Sequence, residues 1–158
     1  MGNKLSLVLF SDPLDRACAA FNIANAAAAS GMGVTIFFSC WGVNLVKKPG
    51  ATPRGQGFLA RAFGFLSPRG ANSLPLSRFN LLGLGGWLMR RQMKARNIQS
   101  IPQMMADARE LGVKFLVCDN PLALMELKRE DLIDQVDDIV GSAYYINESA
   151  DAGMTLFI

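Results

Sequence analysis

Three cysteines and no histidine set the chemistry open to this chain of 158 residues. Without an imidazole, it can build no Ser-His-Asp triad, no Cys-His dyad, no HExxH zinc site and no histidine proton shuttle. A reactive thiol would have to be activated by backbone dipoles or by Lys and Arg. Cys18, Cys40 and Cys118 are an odd, sparse set without a CxxC pair. They therefore read as reduced thiols of a cytoplasmic protein, with neither a disulfide framework nor a metal site expected.

Cys118 is the sharpest candidate nucleophile. It ends the apolar run Val113–Val117 and precedes Asn120-Pro121, which reads as a helix cap followed by a first-turn proline. A sulfur at a strand end before a helix N-terminus meets unpaired N–H groups that favour the thiolate, although the neighbouring Asp119 carboxylate opposes it. Cys40 ends another apolar run, in Ser39-Cys40-Trp41-Gly42, and reads as a thiol packed beside a buried tryptophan. Ser11-Asp12 precedes the first helix and, with Cys40 and Asn120, is a weaker binding candidate for an anion or persulfide. Cys18 falls mid-helix on an expected core face. Asp107, Glu110 and the acidic run from Glu130 to Asp138 read as solvated helix faces.

The elements that would position these residues alternate regularly. Strands are expected at Leu5–Phe10, Val34–Phe38, Val113–Val117, Val136–Val140 and Met154–Ile158. Helices are expected at 14–30, 101–111, 120–127, 129–135 and 142–152. That order predicts an α/β fold: a doubly wound, mostly parallel five-stranded sheet, with strand order 2-1-3-4-5 and ligand sites at the carboxyl ends of the strands. In that order strands 2 and 3 are separated by strand 1, so Cys40 and Cys118 would lie ~10 Å apart. No Walker motif is present, and Gly83-Leu84-Gly85-Gly86 follows no strand, so no dinucleotide fingerprint is read and no cofactor is expected.

Charge is unevenly spread. Sixteen basic residues face 13 acidic ones, but ten of the basic residues lie between Lys47 and Asn97, a window without Asp or Glu. The rest of the chain carries six basic against all 13 acidic residues, a balance of −7. The single domain of residues 1–158 thus holds an irregular and helical basic insert at about 49–98. Its tail, 74–96, mixes Leu81, Leu82, Leu84, Trp87, Leu88 and Met89 with Arg78, Arg90, Arg91 and Lys94. Such a face suits its own domain, a neighbouring subunit, an acidic partner or an anionic membrane surface. Nucleic acid is not expected, because aromatic residues are not interleaved with the charges. No run reaches the ~18 apolar residues of a spanning helix.

Several segments together resemble the DsrE/DsrF/DsrH-like sulfur-transfer family, in its larger DsrE-like subgroup. They are Phe37-Phe38-Ser39-Cys40-Trp41-Gly42-Val43-Asn44-Leu45, Leu74-Pro75-Leu76-Ser77-Arg78-Phe79-Asn80, Glu110 to Cys118, Lys128 to Ile133, and Asp151 to Ile158. The resemblance implies a flavodoxin-like, DsrE-like fold and homo- or hetero-oligomers. It also implies that Cys118 carries sulfur as a persulfide between rhodanese-like or TusA-like partners. Where the subgroup has a Met-Ser-Met-Asp-like stretch after the cysteine, this chain has Asp119-Asn120-Pro121-Leu122-Ala123, and Cys40 stands where an aromatic residue is expected. The competing reading is a non-catalytic oligomeric or membrane-peripheral scaffold. A flavin or nucleotide binder rests on fold analogy alone.

Overall fold

A computed structural model describes residues 3–51 and 70–158, apart from the side chain of Leu82. Gly2 and the insert's Arg54, Arg61 and Arg69 lie outside the described residues. The strands are β1 (Lys4–Leu9), β2 (Gly33–Phe38), β3 (Lys114–Cys118), β4 (Asp138–Val140) and β5 (Met154–Phe157). The helices are α1 (Leu14–Ala29), α2 (Leu84–Ala95), α3 (Ile101–Glu110), α4 (Asp119–Leu124) and α5 (Ser142–Ser149).

All strand pairs are parallel, and the order is β4-β3-β2-β1-β5. This corrects the expected order 2-1-3-4-5. The chain adds strands outward from β1 to β4, each beside its predecessor, and only β5 crosses back to the far side of β1. No switch point therefore opens between β1 and β3, and β2 and β3 are direct neighbours. Cys40 and Cys118 consequently leave adjacent strands.

Alternation along the strands builds two unequal cores. Leu5, Leu7, Leu9, Ile36, Phe38, Phe115 and Val117 face α1 and α3, which contribute Phe21, Ile101, Met104 and Ala108. Phe115 makes edge contacts to Phe21 and Phe38, with centroids 6.0 and 5.3 Å apart. The opposite face holds a smaller cluster of Phe37, Leu116, Cys118, Val140 and Tyr145. Here α5 docks through Tyr145, whose ring stacks on Phe37 at 4.4 Å and whose hydroxyl accepts from the buried Ser6 Oγ at 2.7 Å. Lys114 ties the helix down by donating to Glu148 at 3.0 Å, and Lys4 adds a second ion pair. The Lys114 hydrogen bond, with Lys4 adding to it, holds the Glu148 carboxyl below its usual range.

Other expectations shift by amounts with clear causes. The helix after Cys118 starts at Asp119, with Cys118 itself at the N-cap, so Asn120 is exposed inside the first turn and caps nothing. The acidic run is not a helical face. It holds a short 3-10 turn at Arg129–Asp131 and a second turn closed by the Val136 N–H on the Ile133 carbonyl. Asp137 clamps β3: it accepts Arg109 Nη1 and Nη2 at 2.6 and 2.8 Å and the Phe115 N–H at 2.7 Å. In the insert, the glycines after Leu84 let α2 approach the preceding loop. A Cβ on Gly85 would meet the Phe79 carbonyl oxygen at 2.1 Å.

Candidate functional site at the carboxyl rim of the sheet

The loops following β1, β2 and β3 form one continuous rim, and they bring together most of the candidate residues. After β1, Ser11 is buried and its Oγ accepts from Arg16 at 3.2 Å. Asp12 accepts from Asn44 Nδ2 at 2.8 Å, and Asn44 Oδ1 in turn accepts from Lys47 Nζ at 3.2 Å. Burial raises the Asp12 carboxyl and lowers the Lys47 ammonium relative to their usual values. Desolvation thus outweighs the attraction between two groups joined through an amide. Asn44 and Lys47 were not legible as site residues: they lie among apolar neighbours at a three-residue spacing, with nothing to mark them as a polar pair.

After β2 the chain turns in a 3-10 helix, Cys40–Leu45. Cys40 opens it with φ of 45°, in the left-handed region that side chains rarely adopt. The turn is nevertheless tightly determined. The Gly42 N–H donates to the carbonyls of Ser39 and Phe10 at 2.9 and 3.2 Å, and Asn44 is fastened to Asp12. Cys40 is exposed, and Trp41 is 42% exposed, which corrects the reading of a thiol packed beside a buried indole. Ser39 Oγ donates toward Cys40 Sγ at 3.8 Å.

After β3, Cys118 is 2% exposed and sits in the smaller core cluster. Its thiol donates to Asp119 Oδ1 at 3.9 Å. The short α4 that follows packs against the Cys40–Leu45 turn. Cys18 lies on α1, partly buried, and burial with the nearby Asp15 raises its thiol above the ordinary value.

Among the described residues, the basic side chains of the insert do not join the rim cluster directly. Their segment is anchored to it: Pro75 O accepts the Leu14 N–H at 2.7 Å, and Asp15 accepts from the backbone and hydroxyl of Ser77. Leu84, Trp87, Leu88 and Arg91 stand at i, i+3, i+4 and i+7 along the outer side of α2. Leu84, Trp87 and Leu88 are each about half exposed, and the Arg91 guanidinium lies 5.5 Å from the Trp87 ring. Arg78 and Lys94 are exposed, whereas Arg90 turns inward to donate to Leu74 O at 3.0 Å. A cavity of about 510 Å³ lies between α2 and the start of α3, lined by Leu14, Met93, Ile98 and Ile101 and by no cysteine. Among the described residues, no helix is long and apolar enough to cross a membrane.

Comparison with known proteins gives this rim a context. The chain is 38% identical over 155 residues to the uncharacterized protein YrkE of Bacillus subtilis, covering 98% of this chain and 96% of that protein. It is 28% identical over 162 residues to the sulfur carrier protein DsrE2 of Allochromatium vinosum, covering 98% of both. Among solved structures it resembles the protein of unknown function MTH1491 from Methanobacterium thermoautotrophicum, with a TM-score of 0.52 over 97% of both chains at 13% identity. That last likeness speaks to the fold. The model of the DsrE/DsrF/DrsH-like family matches residues 2–157, and with a parallel five-stranded sheet and a cysteine at the rim, the chain belongs to that family.

Proposed function

We propose that the protein is a sulfur carrier that holds sulfur as a persulfide on Cys118 and passes it between partner proteins. The observation that carries this reading is the position of Cys118 at the junction of β3 and α4, its thiol on the Asp119 carboxylate. Family membership, which points to a sulfur-relay role, and the sulfur-carrier name of the Allochromatium relative support it. The chemistry is nucleophilic. The Cys118 sulfur attacks the outer sulfur of a donor persulfide, and the donor leaves as its thiolate. The Cys118 proton passes through Asp119 to the leaving group. Burial shields the stored sulfur from water and small thiols, so exchange requires local opening of the rim.

Incubation with glutathione persulfide, followed by alkylation and peptide mass mapping, tests this. The expected result is a gain of about 32 Da, one sulfur atom, on the Cys118 peptide, removed by a thiol acceptor. Wild-type protein that never acquires sulfur on Cys118 would remove the reading.

A second reading is favoured by one observation, the exposed Leu84-Trp87-Leu88 stripe beside Arg91 and Lys94. In it, α2 seats the protein on an anionic membrane surface. The expected result is flotation with vesicles containing anionic lipid, abolished in a Trp87→Ser, Leu88→Ser variant and by high salt. Wild type that stays with the soluble fraction at low salt sinks this reading.

A further inference from the structure

The carrier reading leaves a physical difficulty. The sulfur to be exchanged sits on a residue that is 2% exposed, in a cluster of aromatic and aliphatic side chains. The sheet order supplies a way out. In the β2–β3 pairing Phe38 lies opposite Val117. One step further places Ser39 level with Cys118, about 4.8 Å away across the strands. Cys40 is the next residue, so its Cα lies at most about 9 Å from that of Cys118. Direct disulfide formation favours Cα separations below about 7 Å. A sulfane sulfur on either thiol adds about one S–S length, roughly 2 Å, and bridges the remaining span.

Within the rim, the two thiols differ sharply in access. Cys40 is exposed, at the head of a turn that is held to β1 and packs against α4. Cys118 is enclosed. Resting on the carrier reading, we infer that Cys40 is the surface port through which sulfur enters and leaves Cys118. A donor persulfide, R–S–SH, transfers its outer sulfur to the Cys40 thiolate; the donor's S–S bond breaks, R–S⁻ leaves, and Cys40–S–SH forms. The Cys118 sulfur then attacks that same outer sulfur. A Cys118 S–S bond forms, the Cys40 S–S bond breaks, and Cys40 leaves as the thiol, protonated by the Cys118 proton that Asp119 relays. The moving sulfur keeps its oxidation state throughout, so no oxidant or reductant is consumed. Delivery runs by the reverse steps.

The test is a time course with limiting glutathione persulfide, quenched by alkylation and mapped by peptide mass. In wild type, the added sulfur should appear on Cys40 first and on Cys118 afterwards. In Cys40→Ser, loading and unloading of Cys118 should slow at least about tenfold, because a positioned intramolecular step is replaced by attack from solution. Cys118→Ser should still take one sulfur on Cys40, and Cys18→Ser should behave as wild type. Circular dichroism confirms that each variant is folded, and Cys40→Ala serves as the second test of the port. If Cys118 in the Cys40 variants loads at the wild-type rate, the port is overturned and the carrier reading stands. If Cys118 in wild type never loads while Cys40 does, the carrier reading fails and the port fails with it.

Discussion

Gly42→Ala is expected to lower folding stability by about 3 kcal/mol or more, as overpacking against fixed backbone does. A Cβ at this position would lie 2.0 Å from the Leu9 carbonyl oxygen and 2.9 Å from its carbon. Both atoms belong to the end of β1, whose pairing with β2 leaves them little room to move. Relief would come from lifting the whole Cys40–Leu45 turn, which breaks the Gly42 N–H bonds to Ser39 and Phe10 and pulls Asn44 from Asp12. Urea denaturation followed by circular dichroism checks this. The midpoint should fall with an unchanged m-value. Gly33→Ala is the control, since its added Cβ would meet only the Asn3 carbonyl oxygen at 3.8 Å. Equal midpoints for the two variants would show that the turn is not fixed against β1.

Removal of one aromatic ring should expose the central thiol. Tyr145 covers the smaller cluster, stacked on Phe37 with an interplanar angle of 7°. In wild type under native conditions, a thiol reagent such as Ellman's reagent should modify exposed Cys40 at once and Cys118 at least about a hundredfold more slowly, because reaction at an enclosed sulfur waits for opening. Tyr145→Ala removes the ring, costs about 3–5 kcal/mol, and should accelerate Cys118 modification by at least about tenfold. Tyr145→Phe separates enclosure from hydrogen bonding. It keeps the ring, loses only the Ser6 contact, and should leave Cys118 nearly as slow as in wild type. Cys118 modified as fast as Cys40 in unaltered protein would show that the cluster does not enclose it.

The alternation of strands and helices was legible because each strand is a short apolar run bounded by Gly, Pro or a cap. Leu5 to Leu9, Val34 to Phe38 and Phe115 to Val117 carry that signal plainly. Strand order was not legible. The insert separates β2 from β3 by 75 residues, and hydrophobic pattern says which segments are buried but not which lie side by side. The neighbour preference of consecutive strands was the rule that prevailed over the commoner doubly wound order. The place of Cys118 at the end of β3 was legible because that signal is local. The exposure of Cys40 could not be read, since Phe-Phe-Ser-Cys-Trp continues an apolar run until a backbone turn with positive φ ends it. Asp137 was invisible for a different reason. Within a run of acidic residues nothing marks the one carboxylate that meets Arg109 and the Phe115 amide.

The two tryptophans occupy separate parts of the surface, Trp41 beside the port cysteine and Trp87 on the basic helix, 42% and 50% exposed. The chain has no others. Its tryptophan fluorescence therefore arises from these two places rather than from the hydrophobic interior. Replacing either indole with phenylalanine leaves a single tryptophan, whose colour and quenching report one neighbourhood at a time. Docking of a partner at the rim and contact along the helix thus become separable optical signals, with no dye attached.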